Sequence, residues 1–136
     1  MLLYRLLMSL VALVVLTRAL LRSDITALRQ RLALGPIVPG AHLWLHAASN
    51  GELTSARPVI DALREARPDL PLLITCNSQS GVDLAKGWGL TARLAPLDLA
   101  WVARRMHRRW QTCGYILMES ELWAHRILPS PGPVMV

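Results

Sequence analysis

Five short apolar runs punctuate the second part of this chain, at His42–His46, Leu72–Thr75, Thr91–Ala95, Tyr115–Met118 and Pro133–Val136. Between them stand segments with apolar residues at helical spacing. Leu53, Ala56, Ile60 and Leu63 recur in this way within 52–67. A short segment ends near Lys86, another runs from Pro96 to about Trp110, and a turn covers 122–128. Runs this brief and this apolar belong to strands covered on both faces. The alternation therefore predicts an α/β fold, a Rossmann-like parallel sheet with flanking helices. Ligands bind such sheets beyond the carboxyl ends of the strands. Four polar turns, Ser49–Glu52, Asn77–Gly81, Pro96–Asp98 and Glu119–Glu121, would share that rim.

Ahead of this pattern, Leu6–Thr17 is an almost wholly apolar stretch between Arg5 and Arg18. Including both arginines, which can reach the interface, the whole segment Met1–Leu21 attains the length of a bilayer span. Residues 1–22 are read as a membrane anchor helix, lying in or crossing the bilayer. A signal peptide fits the charged start, but Leu16-Thr17-Arg18 offers no small-residue cleavage site. A buried core helix is the third reading. Residues 23–41 read as a basic linker, with Arg29 and Arg31 followed by Gly35, Pro36, Pro39 and Gly40. Residues 42–136 form the Rossmann-like domain.

The 136 residues are 53% hydrophobic and 18% charged, which excludes a disordered chain and suits one domain. Two cysteines, Cys76 and Cys113, are too few for a disulfide-built scaffold or a four-cysteine zinc site. Both are expected to be free buried thiols. A net charge of +6 favours anionic partners.

The candidate chemistry lies in the turns. Ser49-Asn50-Gly51-Glu52 reads as a capping box, Ser49 accepting from the backbone three residues on and Glu52 bonding back. Equally, Glu52 can serve as a general base at the rim, with Gly51 admitting a substrate close to the backbone. Glu119 and Glu121 face opposite ways in extended chain, so one can point into a cleft while the other pairs at the surface. Asn77-Ser78-Gln79-Ser80-Gly81 can hold a phosphate or sugar at a helix amino terminus, or simply turn and cap. Asp98 reads first as an N-cap. Arg104, Arg105, Arg108 and Arg109 share one helical face, either solvated or in contact with phosphates, and no nucleic-acid signature accompanies them. His42 and His46 share a strand face without a partner at metal-ligand spacing, so no metal is expected.

Taken together these motifs resemble the amino-terminal half of the Kdo transferases, enzymes that move 3-deoxy-D-manno-octulosonic acid (Kdo) from CMP-Kdo onto lipid A precursor. His46-Ala47-Ala48-Ser49-Asn50-Gly51-Glu52 is similar to the family's HAxSxGE. Ile74–Gly81 is similar to its Thr-rich turn, Pro96-Leu97-Asp98 to its P-x-D, and Glu119-Ser120-Glu121-Leu122-Trp123 to its ExELWP. Leu3-Tyr4-Arg5-Leu6 matches within the apolar helix. The resemblance implies a GT-B glycosyltransferase half, in which Glu52 deprotonates the acceptor hydroxyl and Glu121 assists the transition state. It implies acceptor contacts from Ser49, Gly51, Ser78, Ser80, Gly81, Asp98 and Glu119. It further implies no cofactor beyond the donor substrate, no nucleic acid, and a place on the cytoplasmic face of the bacterial inner membrane.

Some positions depart from the family pattern. Cys76 and Asn77 replace threonines, Ala124-His125 replaces Pro-Asn, and the Glu-Arg before Gly35 is missing. On this reading the donor-binding domain is absent, since the sequence given stops near the first domain's fifth strand. The alternative is a non-catalytic, membrane-tethered module that binds a phosphorylated glycolipid or a partner chain.

Overall fold

The computed structural model describes residues 1–118 and 124–136. Helix α1 covers Leu2–Leu21 and α2 covers Ile25–Arg31. The strands are β1 His42–His46, β2 Leu72–Cys76, β3 Thr91–Leu94, β4 Thr112–Leu117 and β5 Val134–Met135. Helix α3 (Asn50–Ala66) follows β1, α4 (Gln79–Gly87) follows β2, α5 (Ala100–Arg109) follows β3, and α6 (Ala124–Ile127) precedes β5. The strands form one sheet in the order β3-β2-β1-β4-β5, and every pairing is parallel. The predicted fold class is the observed one.

Alternation along the strands feeds two cores. Leu45, Ile74 and Cys76 pack with Leu53, Ala56 and Ile60 of α3 and Val82 and Ala85 of α4. Trp44, Leu73, Tyr115 and Leu117 face the other way, against Val102 and Met106 of α5 and Trp110. Helix α3 stops at Ala66 because Pro68 disfavours helical dihedrals at Arg67, whose φ and ψ are −135 and 69.

The stretch read as a linker contains a docked helix. Asp24 caps α2 by accepting from the Ala27 N–H at 3.0 Å. Gln30 Oε1 accepts from the Leu94 N–H at 2.8 Å, on the outer edge of β3. Arg105 donates to Leu32 O at 3.2 Å, and Arg109 to Ala33 O at 2.7 Å and Gly35 O at 2.6 Å. The arginine run is therefore divided. Arg105 and Arg109 fasten the end of α2, while Arg104 and Arg108 are exposed.

The histidines of β1 are fully buried, with His46 Nδ1 2.9 Å from Thr75 Oγ1 and His42 Nδ1 2.8 Å from Gly40 O. Cys76 is a buried free thiol that desolvation pushes up to about 11, so it stays protonated at neutral pH. Cys113, expected to be buried, is exposed.

His107 of α5 is 5% exposed and joins two segments. Its Nε2 donates to Arg126 O at 2.7 Å, which leaves Nδ1 to accept from the Thr112 hydroxyl at 2.5 Å. Burial lowers its pKa, outweighing the opposite effect of the bond to Arg126. The unfolded chain then binds the proton more readily. The neutral ring's contribution to stability is complete above about pH 6.5 and declines as pH falls toward its lower folded value. Melting temperatures of the wild type should drop across that window, and His107→Gln should show a shallower drop. Equal slopes would remove His107 from the account.

A candidate active site at the carboxyl rim

The chain winds from β1 to β2 to β3 on one side and then crosses to β4 on the other. β1 and β4 are parallel neighbours, and in sheets wound this way the switch point between such a pair is where ligands bind, beyond the carboxyl ends of the strands. Ser49, Gly51 and Glu52 stand directly after β1. The segment after β4 contains Glu119 and Glu121, which lie outside the described residues.

Both expected capping contacts are present. Ser49 Oγ accepts from the Glu52 N–H at 3.2 Å, and Glu52 Oε2 accepts from the Ala48 N–H at 2.8 Å. The return bond thus reaches one residue further back than in a standard capping box. Among the described residues, Glu52 Oε1 has no hydrogen-bond partner. One oxygen fixes the carboxylate at the start of a 17-residue helix, and the other retains its lone pairs. That division lets one half-buried carboxylate both orient itself and accept a proton.

The second turn lies beside the first. Asn77 N–H donates to Ala48 O at 3.2 Å, and Ser80 Oγ to Asn50 Oδ1 at 3.4 Å. Ser78 caps α4 by accepting from the Gly81 N–H at 3.3 Å, with its hydroxyl 3.1 Å from that of Ser80. The amino termini of α3 and α4 therefore present their N–H groups side by side, an arrangement suited to anionic oxygen. Gly81 is required by packing. A Cβ there would stand 2.8 Å from Cys76 Cβ, 3.1 Å from its sulfur and 3.2 Å from Asn50 Oδ1. Gly81→Ala should cost roughly 1–3 kcal/mol through forced movement of α4. A denaturant midpoint unchanged from wild type would contradict that packing.

Asp98 is placed differently from the N-cap reading. Leu99 is the N-cap of α5 and makes no side-chain cap bond. Asp98 is 4% exposed and accepts from the Arg126 N–H at 3.0 Å, the His125 N–H at 3.4 Å and the Tyr4 hydroxyl. Its backbone oxygen accepts from His125 Nδ1 at 2.8 Å. It joins α1, α6 and the turn after β3, and it is not brought together with Glu52 by any bond among the described residues.

Sequence reasoning missed Arg31 and Arg126 as rim residues. Arg31 donates to Ala95 O at 3.0 Å and Asn77 O at 2.6 Å, tying together the turns after β2 and β3. Burial, and then the charge of Arg126, lower its pKa. The signal was weak, because Arg31 sits in a stretch that read as a basic linker.

Helix α1 lies along this rim. Tyr4 meets Asp98, and its ring is 5.2 Å from that of His125. Met8, Val11 and Val15 line a cavity of about 230 Å³ with Arg31, Asn77, Leu97 and Arg126. Arg18, Ala19 and Arg22 line another of about 330 Å³ with Asn77, Ser78 and Gln79. Ala12 and Ala19 are buried, whereas Leu3, Leu6, Leu10 and Leu13 are 59–81% exposed. One face of α1 meets the domain and the other presents leucines. By length and composition it could also cross a membrane.

A doubly wound parallel sheet with helices on its faces defines a Rossmann-like domain. Comparison of sequences narrows this. The family described as 3-deoxy-D-manno-octulosonic-acid transferase (kdotransferase) matches residues 26–129. The chain belongs to the Kdo transferase family. The match begins within α2, so the α1 residues of the sequence resemblance lie outside it. A probable mitochondrial 3-deoxy-D-manno-octulosonic acid transferase of Arabidopsis thaliana is 35% identical over 97 residues, covering 69% of this chain and 22% of that protein. The transferase of Chlamydia trachomatis serovar D is 30% identical over 100 residues, covering 71% and 22% respectively. That of Haemophilus influenzae is 32% identical over 92 residues, covering 65% and 22%. The chain thus spans about 22% of the length of these curated relatives.

Proposed function

We propose that this chain is the acceptor-side domain of a Kdo glycosyltransferase of lipopolysaccharide biosynthesis, a GT-B half that works with a donor-binding domain. An acceptor sugar hydroxyl of lipid A precursor (lipid IVA) attacks the anomeric carbon of Kdo in CMP-Kdo. The new C–O bond forms as the bond to CMP breaks. Glu52 takes the hydroxyl proton. Ser49, Gly51, Ser78, Ser80 and Gly81 border the acceptor, and Glu121 and Glu119 act from the segment after β4. The observation that carries the reading is the placement of Glu52 at the switch point, with one oxygen bonded to Ala48 and the other without a partner among the described residues.

On the same reading α1 lies in the interface of the bacterial inner membrane, on its cytoplasmic face. Support comes from the docking of α1 from Tyr4 to Ala19, positions about 22 Å apart along a helix. A helix standing across the bilayer could not keep both ends on the domain. The leucine face would enter the acyl boundary, with Arg18 and Arg22 among headgroup phosphates.

The test is Kdo transfer from CMP-Kdo to lipid IVA in detergent, using this chain together with a relative's donor-binding domain. Transfer that depends on both components is the expected result. No transfer from a folded chain that still binds lipid IVA would favour a membrane-tethered binding module. One observation leans that way, since the Glu52–Ala48 bond is also what a purely capping carboxylate makes.

A further inference from the structure

On the far side of α2 from the rim lies a cavity of about 460 Å³, bounded by α2, residues 35–38 and β3. Its lining residues Thr91 and Trp110 stand at the amino ends of β3 and β4, whereas Glu52 follows the carboxyl end of β1. Arg93 is 4% exposed, yet among the described residues its guanidinium makes a single hydrogen bond, from NH2 to Leu34 O, and its Nε has no partner. The indole N–H of Trp110, 2% exposed, is also without an acceptor among the described residues. The guanidinium carbon of Arg93 lies over the Trp110 ring, 5.4 Å from its centroid.

Two shielded donors on residues that line one cavity, both lacking an acceptor among the described residues, are costly unless something supplies one. Nothing in the lining does. It contains Arg29, Lys86 and Arg93 and no carboxylate. Burial, and then the like charge of Arg109, pushes the Arg93 guanidinium down to about 10.

We propose that this cavity binds a phosphate group, held by Arg93, Arg29 and Lys86 beside the Trp110 indole. Three cations match a dianion better than a carboxylate. The cavity exceeds a bare phosphate, and Pro36, Ile37 and Val38 wall the remainder, so the ligand is a phosphate monoester on an apolar group. A lipid headgroup and a soluble organic phosphate share that chemistry. The site is separate from the rim and does not depend on the transferase reading.

The test is a titration of the full chain in maltoside micelles, following indole N–H resonances by NMR, with Trp110→Phe identifying its signal. Phenyl phosphate and dihexanoyl phosphatidic acid are the probes, with sodium chloride as control. A saturable shift of the Trp110 resonance with either probe is expected, and the tighter probe identifies the source. The pair Arg29→Ser and Lys86→Ser, both exposed positions that leave the core intact, should weaken binding by about tenfold or more. A Trp110 resonance unmoved by both probes, or a double variant that binds like wild type, would overturn the proposal.

Discussion

Glu52→Gln should lose Kdo transfer by about 10²–10⁴-fold in the two-component assay while the chain remains as stable as wild type. The substitution separates the cap seen in the structure from the proposed role as base. Glutamine keeps an oxygen able to accept from the Ala48 N–H, so the start of α3 stays tied. What it lacks is basicity. Glu52→Ala removes the bond as well and should add a stability loss of about 1 kcal/mol. If Glu52→Gln transferred Kdo at the wild-type rate, Glu52 would be a cap and the base would have to be sought elsewhere on the rim. Equal binding of lipid IVA by wild type and variant would place the loss in the chemical step.

Asp98→Ala should be the most destabilising single change at the rim, by about 3 kcal/mol, because it leaves several buried donors unsatisfied at once. The melting temperature should fall by roughly 10 °C. The Tyr4 hydroxyl, the His125 N–H and the Arg126 N–H come from α1 and α6, which the carboxylate joins to the turn after β3. Loosening of α1 should accompany the loss, seen as faster tryptic cleavage at Arg18 and Arg22. Tyr4→Phe removes only one of these bonds and should cost about 1 kcal/mol. An Asp98→Ala protein with wild-type melting and wild-type cleavage would show that this junction contributes little.

Strands were the most legible part of the chain. β1 matches its apolar run residue for residue, and β2 extends one residue past Thr75. Each is a short apolar segment bounded by polar turn residues, and burial on both faces leaves no other use for such a pattern. Helix α2 was hidden because it is short and is followed by Gly35, Pro36, Pro39 and Gly40, whose composition dominated the segment. Its stability is tertiary, supplied by Arg105 and Arg109 from residues more than seventy positions away. Asp98 misled for a related reason. Its side chain serves α6 and α1 instead of the helix that follows it, and no local spacing encodes that choice. In the candidate site, the Ser49–Glu52 pairing was readable because capping is a short-range geometry. The joining of Asn50 to Ser80 was not, since it depends on β1 and β2 being neighbours. Glu119 and Glu121 lie outside the described residues, so their expected roles stand as proposals.

Helix α2 also makes the two margins of the sheet unequal. At β3 the Leu94 N–H is already spent on Gln30, and a helix occupies the place where another strand would pair. At β5 the two exposed residues have no further strand beyond them among the described residues. Any strand contributed by more polypeptide, by a partner or by a second copy is therefore directed to β5. The sheet is an array that can be extended from one end only, and that polarity reduces runaway edge-to-edge association to a single surface.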